Sequence, residues 1–189
     1  MLFMITLGIS IATSSILGVL GYYMIEQFQS GATETGWAFT VQSGAAVCVQ
    51  LFFISILYQY FSEENITKYG FLITIVGFAS IMITTHISFI FIGVFLVGAG
   101  QALIKPTVLA SLSKKDDLGQ GMVMSLHGTY DSLGRSIGPI VAGLLFSFNP
   151  TSPFLLSFIL CGLLLLVISL EHWKTSKKEE VRPVENIME

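Results

Sequence analysis

The chain is 189 residues long, 53% of them apolar and 11% charged, with a formal net charge of −3. Soluble domains carry about 25% charged residues, so the composition excludes an ordinary water-soluble fold, and a basic tail interrupted by acids excludes a nucleic-acid-binding arm. Cys48 and Cys161 both lie within apolar stretches, which points to packing rather than to a disulfide framework or a metal motif.

Six apolar runs are long enough to cross a hydrocarbon core of about 30 Å as helices: residues 2–24, 36–60, 68–85, 88–112, 121–148 and 153–173. The first, "MLFMITLGIS…", enters with no charged residue before it, whereas a signal peptide has a basic leading region; it reads as the start of a chain that begins in the middle of something. The fourth, "GVFLVGAGQALIKP", holds Gly93, Gly98 and Gly100 before Lys105 and Pro106. In the fifth, Gly134, Gly138 and Ala142 recur at four-residue intervals, with Gly128 and Ser132 as a further small pair. Such rows let neighbouring helices approach closely, and Pro139 favours a bend. Ser152 and Pro153 open the sixth as an N-cap followed by a proline at the first helical position. Runs of this length without sustained alternation are not barrel strands. The expected fold class is therefore an all-α membrane protein of six transmembrane helices, residues 1–173, followed by a solvated, disordered tail over 174–189.

Lys68, Lys114, Lys115, Lys174, Lys177, Lys178 and Arg182 all fall on one side if the spans alternate, while the opposite connections, around 27–35, 86–87 and 149–152, carry no Lys or Arg. The positive-inside rule makes the basic side cytoplasmic, so both termini are expected there, in a multi-pass protein of the plasma membrane. Tyr22, Tyr23, Trp37, Tyr58, Tyr60 and Trp173, at span ends, match an interfacial aromatic belt. Phe89, Phe91 and Phe95 are candidates for an apolar cavity wall.

Of the Lys and Arg residues up to the tail, only Lys105 and Arg135 remain, and both are inside spans. In "YDSLGRSIGPIVAG", Asp131 and Arg135 stand one helical turn apart, and His127, Asp131 and Arg135 make one stripe on one helix face. Such a stripe does not face lipid. Either Asp131 and Arg135 neutralise each other and lock the helix to a neighbour, or the carboxylate takes up and releases a proton, or Arg135 binds an anionic substrate group. Lys105, toward the cytoplasmic end of its span, snorkels to the headgroups or, pointing inward, pairs with Asp131; the first reading is preferred. His127 alone reads as a hydrogen-bonded helix residue before a proton relay.

The run "GRSIGPIVAG", Gly134 to Gly143, has the form G-x-x-x-G-P-x-x-x-G and is similar to the antiporter motif of the major facilitator superfamily, in the copy that pseudo-symmetry places in the eleventh span. "GAGQALIKP", "SKKDDLGQG" and "PFLLSFILCGLLLLVI" resemble that family's tenth span, next cytoplasmic loop and twelfth span in the same order. "YQYFSEENITKYG", by contrast, lacks the glycine, aspartate and basic cluster of the family's conserved loop. The resemblance implies the carboxyl-terminal half of a twelve-span transporter, most like the drug/proton antiporters: two inverted three-helix repeats, spans one and four lining a central cavity, spans two and five flanking it. Carried onto this chain, it assigns substrate and proton pathway roles to Asp131, Arg135, His127, Tyr130, Lys105, Gln101 and Gln42, with Thr6, Ser10, Ser14, Tyr22, Ser43 and Gln50 as further polar candidates. It assigns packing and bending to Gly134, Gly138, Pro139, Gly143 and Pro106. No cofactor and no metal is implied. Implied partners are the lipid bilayer, a small organic solute or drug, protons, and a six-span amino-terminal half or a second copy of the chain. The alternative is a truncated, non-transporting membrane protein acting only in assembly. An intramembrane enzyme is disfavoured, because no nucleophile stands with an evident base and no His/Asp cluster suggests a metal.

Overall fold

The computed structural model describes residues 2–84, 86–114 and 119–180. Lys115 and Arg182, two of the cations in the charge asymmetry, and residues 181–189 of the expected tail lie outside that range. Among the described residues every regular element is helical: α1 (Leu2–Phe28), α2 (Ala32–Cys48), α3 (Ile54–Tyr60), α4 (Glu63–Ile83), α5 (Ile87–Lys114), α6 (Gln120–Phe146) and α7 (Ser152–Glu180). A π-helical turn, Val49–Phe53, joins α2 and α3 into one rod. The described part of the expected tail, residues 174–180, continues α7.

Five helices are long and apolar enough to cross a membrane: α1, the α2–α3 rod, α4, α5 and the first part of α7. The sixth expected crossing, α6, has the length at 27 residues but not the apolarity. His127, Asp131, Arg135 and a run of Ser, Thr and Gly lower its hydropathy, and its apolar residues gather on one side as in an amphipathic helix. A helix of this kind crosses a bilayer only with its polar face turned to protein or water.

The ends of the helices follow local chemistry. The Gly31 N–H donates to Glu34 Oε2 at 2.8 Å, so the carboxylate three residues into α2 satisfies a donor at the start of that helix. Gly119 precedes α6 with φ +82, a left-handed conformation that glycine adopts without steric cost. Pro153 lies in the first turn of α7, where its missing N–H leaves no intrahelical bond unmade.

The centre of the bundle is α1, which packs on α6, α7, α5 and α2. Its Ile5, Ile9, Ile16, Leu20 and Met24 are buried, but so are Thr6, Ser10, Thr13, Ser14 and Ser15. Apart from that of Ser10, these hydroxyls turn back on their own helix, as Ser15 Oγ does to the Ile11 carbonyl at 2.8 Å and Ser14 Oγ to that of Ser10 at 2.6 Å. Each thereby satisfies a polar atom that is costly to bury alone. Tyr23, expected in an interfacial belt, is instead buried, its OH donating to the Ile81 carbonyl at 3.2 Å and its ring edge-on to Phe154. Phe89 and Phe95 are exposed rather than walled in.

Backbone also meets backbone between α4 and α5. A Cβ added to Gly100 would stand 2.6 Å from the Gly70 carbonyl oxygen and 2.1 Å from Thr74 Oγ1, and one on Gly77 would stand 2.9 Å from the carbonyl oxygen of Gly93. Only glycine permits this approach. The pairing of 70 with 100 and of 77 with 93 makes the contact antiparallel, with Val97, Ile104 and Ile81 filling the space around it.

Candidate functional site

The site begins where α6 meets α1. A Cβ on Gly134 would lie 2.7 Å from Ser10 Cβ, and one on Gly138 would lie 2.0 Å from Ser14 Oγ. The contacts advance in the same direction along both helices, so this pair is parallel. The Gly134 carbonyl lies 3.2 Å from Ser14 Oγ and that of Gly138 lies 3.3 Å from Ser15 Oγ. Pro139 rests on Gly18, 3.0 Å from where its Cβ would be.

This docking brings Asp131 to Ser10, whose hydroxyl donates to Oδ1. Lys105 of α5 donates to the same oxygen at 3.1 Å, and Arg135 Nε donates to Oδ2 at 2.8 Å. The expected pair is therefore a triad drawn from two helices and tied to a third. Lys105 does not snorkel: its side chain is 27% exposed and reaches the carboxylate, against 21% for Asp131 and 59% for Arg135. Sequence position alone left both directions open, because the stem of a lysine reaches either way. Asp131 lies eleven residues into α6 from Gln120, roughly 16 Å along the helix and thus deep in a bilayer-sized layer.

An open cavity of about 420 Å³ adjoins the carboxylate, lined by Gln50 and Ile54 from the α2–α3 rod, Lys105, Pro106 and Leu109 from α5, and His127 and Asp131 from α6. His127 Nδ1 and Gln101 Nε2 are both buried without a hydrogen-bond partner. Of the other candidates, Tyr130 stacks on Phe3 with ring centroids 5.4 Å apart, and Gln42 is buried where α2 meets α5, its carbonyl oxygen 2.2 Å from a Cβ built on Gly98. Gly143 and Gly128 have no neighbour within 4 Å. Ser43 is exposed, as is Tyr22 beside Phe146.

Ser15 and Ile54 were missed in the sequence. The first is signalled by a Ser14–Ser15 pair on a span whose i−4 carbonyls accept it; the second depends on the π turn, which leaves no hydropathy signal. At one end of the bundle, Glu63 takes Lys114 at 2.6 Å and Ser111 at 2.8 Å, joining α4 to α5. Among the described residues no three His, Cys, Asp or Glu side chains gather as metal ligands would.

Helices able to cross a membrane, with charges gathered between three of them beside a cavity, define a multi-pass membrane protein of the transport class. The chain belongs to the Major Facilitator Superfamily, whose family model matches residues 2–186. It is 23% identical over 179 residues to the quinolone resistance protein NorA of Staphylococcus aureus (strain MSSA476), a match covering 94% of this chain and 46% of that protein. It is 26% identical over 181 residues to multidrug resistance protein 2 of Bacillus subtilis (strain 168), covering 94% and 44% respectively. The chain thus spans less than half the length of these relatives.

Proposed function

We propose that this chain forms one half of a secondary active transporter that moves drugs or other small organic solutes outward in exchange for protons. The observation that carries the reading is Asp131, an intramembrane carboxylate held by Lys105, Arg135 and Ser10 against an open cavity. Intramembrane ionisable groups of this kind mark solute and proton pathways. A proton on Asp131 would loosen its two cations, and their return would expel it, so the cluster suits a site that changes state as the cavity changes sides.

The architecture proposed is two inverted three-helix repeats, α1 to α4 and α5 to α7. Exchange of α1 with α5, of the α2–α3 rod with α6, and of α4 with α7 leaves the packing pattern intact. Parallel α1–α6 answers α5–α2, and antiparallel α4–α5 answers α7–α1. Inverted repeats around a midplane site are the general plan of such transporters. The basic side is assigned to the cytoplasm, with both termini, in the plasma membrane. The missing wall of the cavity is assigned to a six-span amino-terminal half or to a second copy, set against the exposed Leu51, Phe52, Phe53 and Ile56 of the rod and Leu133, Ile137 and Ile140 of α6.

Expression of the chain in drug-sensitive cells, alone and fused to the amino-terminal half of a relative, tests this by dye extrusion. Extrusion is expected from the fusion only, and is expected to fail when Asp131→Asn is introduced. Extrusion by the isolated monomer would refute the half-transporter reading, and a well-folded fusion that moves no dye would favour a non-transporting assembly partner. Orientation is read separately in a Cys48→Ser background: membrane-impermeant thiol reagents should reach a cysteine placed at Ser30 and miss one at Ser176.

A further inference from the structure

The charge triad does not balance. One carboxylate, Asp131, faces two cations, Lys105 and Arg135, leaving a surplus of one positive charge. Arg135, 59% exposed, can be screened from outside the bundle, whereas the Lys105 ammonium, 27% exposed, has less of that screening. Asp131 has also committed both oxygens, Oδ1 to Ser10 and Lys105 and Oδ2 to Arg135 Nε. Among the described residues the remaining N–H groups of the Lys105 ammonium and the Nη groups of Arg135 find no further acceptor. Gln101 Nε2, one turn from Lys105 on the same face of α5, is a buried donor without a partner, and His127 Nδ1 is buried without one on α6. Glu63, an acid of the same bundle, is committed to Lys114 and Ser111. The site thus has more positive charge than its one carboxylate answers, and a buried amide donor besides.

We propose that the cavity lined by Lys105 and Asp131, with Arg135 bound to the other oxygen of that carboxylate, receives the carboxylate end of an amphipathic solute. A carboxylate supplies one negative charge and two acceptor oxygens, which an ammonium binds better than any neutral group, and the neighbouring guanidinium adds to the attraction. Ile54, Pro106 and Leu109 offer an apolar wall for the rest of the molecule, and about 420 Å³ is room for a drug-sized body. A cationic solute would meet two like charges around a carboxylate that already neutralises one of them. The inference names a substrate class for the proposed transporter and rests on that reading for the solute's being carried, but binding itself is measurable without transport.

The full chain in phosphatidylcholine nanodiscs, where no anionic headgroup competes, is dialysed against three probes that share a naphthalene ring: 2-naphthoate, 2-naphthylmethylammonium and 2-naphthylmethanol. Naphthoate is expected to bind roughly tenfold more tightly than the other two, the effect of one charge-assisted hydrogen bond. Arg135→Gln and Lys105→Gln should each remove most of that preference. Asp131→Asn should strengthen naphthoate binding, because both cations lose their internal counter-charge, and naphthoate should restore monodispersity if the variant is unstable. Naphthoate binding no tighter than the alcohol or the ammonium overturns the inference, and this ordering is read on the parent chain even if every variant misfolds. Dye extrusion by the completed transporter with no carboxylate preference would sink the inference and keep the transport reading. A carboxylate preference with no extrusion would do the reverse.

Discussion

The α4–α5 and α1–α6 contacts both depend on glycine, yet they are built to different ends. In α4–α5 both helices contribute glycines, so that backbone meets backbone, and the surroundings are Val97, Ile104, Ile81 and the Thr74 hydroxyl, which bonds its own helix at Gly70. In α1–α6 the glycines are mainly those of α6, and α1 answers with Gly18 under Pro139 and with serines whose single protons are shared between carbonyls of their own helix and of the neighbour. A hydroxyl has one proton to donate, so a small displacement of α6 costs Ser14 and Ser15 little: each keeps its own-helix acceptor. Displacement of α5 along α4 would drive a carbonyl into a neighbouring Cα. The second interface comes as near, with Cβ positions on Gly134 and Gly138 2.8 and 2.7 Å from the Leu7 and Ile11 carbonyl oxygens, but its hydroxyls can exchange acceptors, so we expect the first interface to act as a fixed plate and the second, which carries the charges, to slide.

The largest effect that would break this comparison is expected at Asp131. Asp131→Asn strands Lys105 as well as Arg135, and fully buried pairs broken in this way lose about 3–5 kcal/mol. The partial exposure of the triad lowers that to about 2 kcal/mol. Arg135→Gln should cost far less, because Asp131 keeps Lys105 and the guanidinium is mostly in contact with solvent or lipid. The double variant Asp131→Asn, Lys105→Gln should recover most of the loss. Thermal unfolding in detergent reads all three, and equal losses for Asp131→Asn and Arg135→Gln would mean that Lys105 contributes nothing.

A middle-sized effect separates the two glycine contacts from an open position. Gly100→Ala forces a methyl against the Gly70 carbonyl and should cost about 1–3 kcal/mol as an overpacked contact. Gly143→Ala, with nothing within 4 Å, should be neutral or slightly stabilising, since alanine is the better helix former. Loss of folded yield measured by size-exclusion chromatography should follow that order. A harmless Gly100→Ala would mean that α4 and α5 are free to part.

The smallest effect tests the sliding contact. Ser14→Ala and Ser15→Ala together should lower the unfolding temperature only slightly, because measured hydrogen bonds between membrane helices average about 0.6 kcal/mol. In the completed transporter they should nevertheless change the dye extrusion rate more than Gly143→Ala does. A large stability loss with an unchanged rate would make α1–α6 a second fixed plate.

Five of the expected crossings were legible because hydropathy is a local property that declares itself over about 20 residues, whereas the polar stripe of α6 lowers it there. The Gly134–Gly138 row was legible for the same reason. The α4–α5 contact was not recognised, although Gly70 and Gly77 stand seven residues apart and so do Gly93 and Gly100. Two equal spacings on consecutive spans signal an antiparallel pair, but only when both are compared. The direction of Lys105 was illegible, since it depends on a carboxylate 26 residues away that only packing brings within reach.

The π turn at Val49–Phe53 has a consequence for insertions and deletions. Gln42 and Tyr58 both address α5, the latter through its OH at 3.0 Å from Thr107 Oγ1. Sixteen residues of uninterrupted α-helix would rotate the second about 160° from the first, onto the far side of the rod. One residue taken up in a wider turn cancels about 100° of that rotation and brings Tyr58, with Gln50 and Ile54 before it, round toward α5. Deleting one residue between Val49 and Phe53 would remove the wide turn and leave fifteen residues of straight α-helix between the two, whose rotation of about 60° keeps everything after it turned toward α5. The rod therefore tolerates the loss of one residue at this point, whereas one residue more would turn everything beyond it by about 100° away from the cavity.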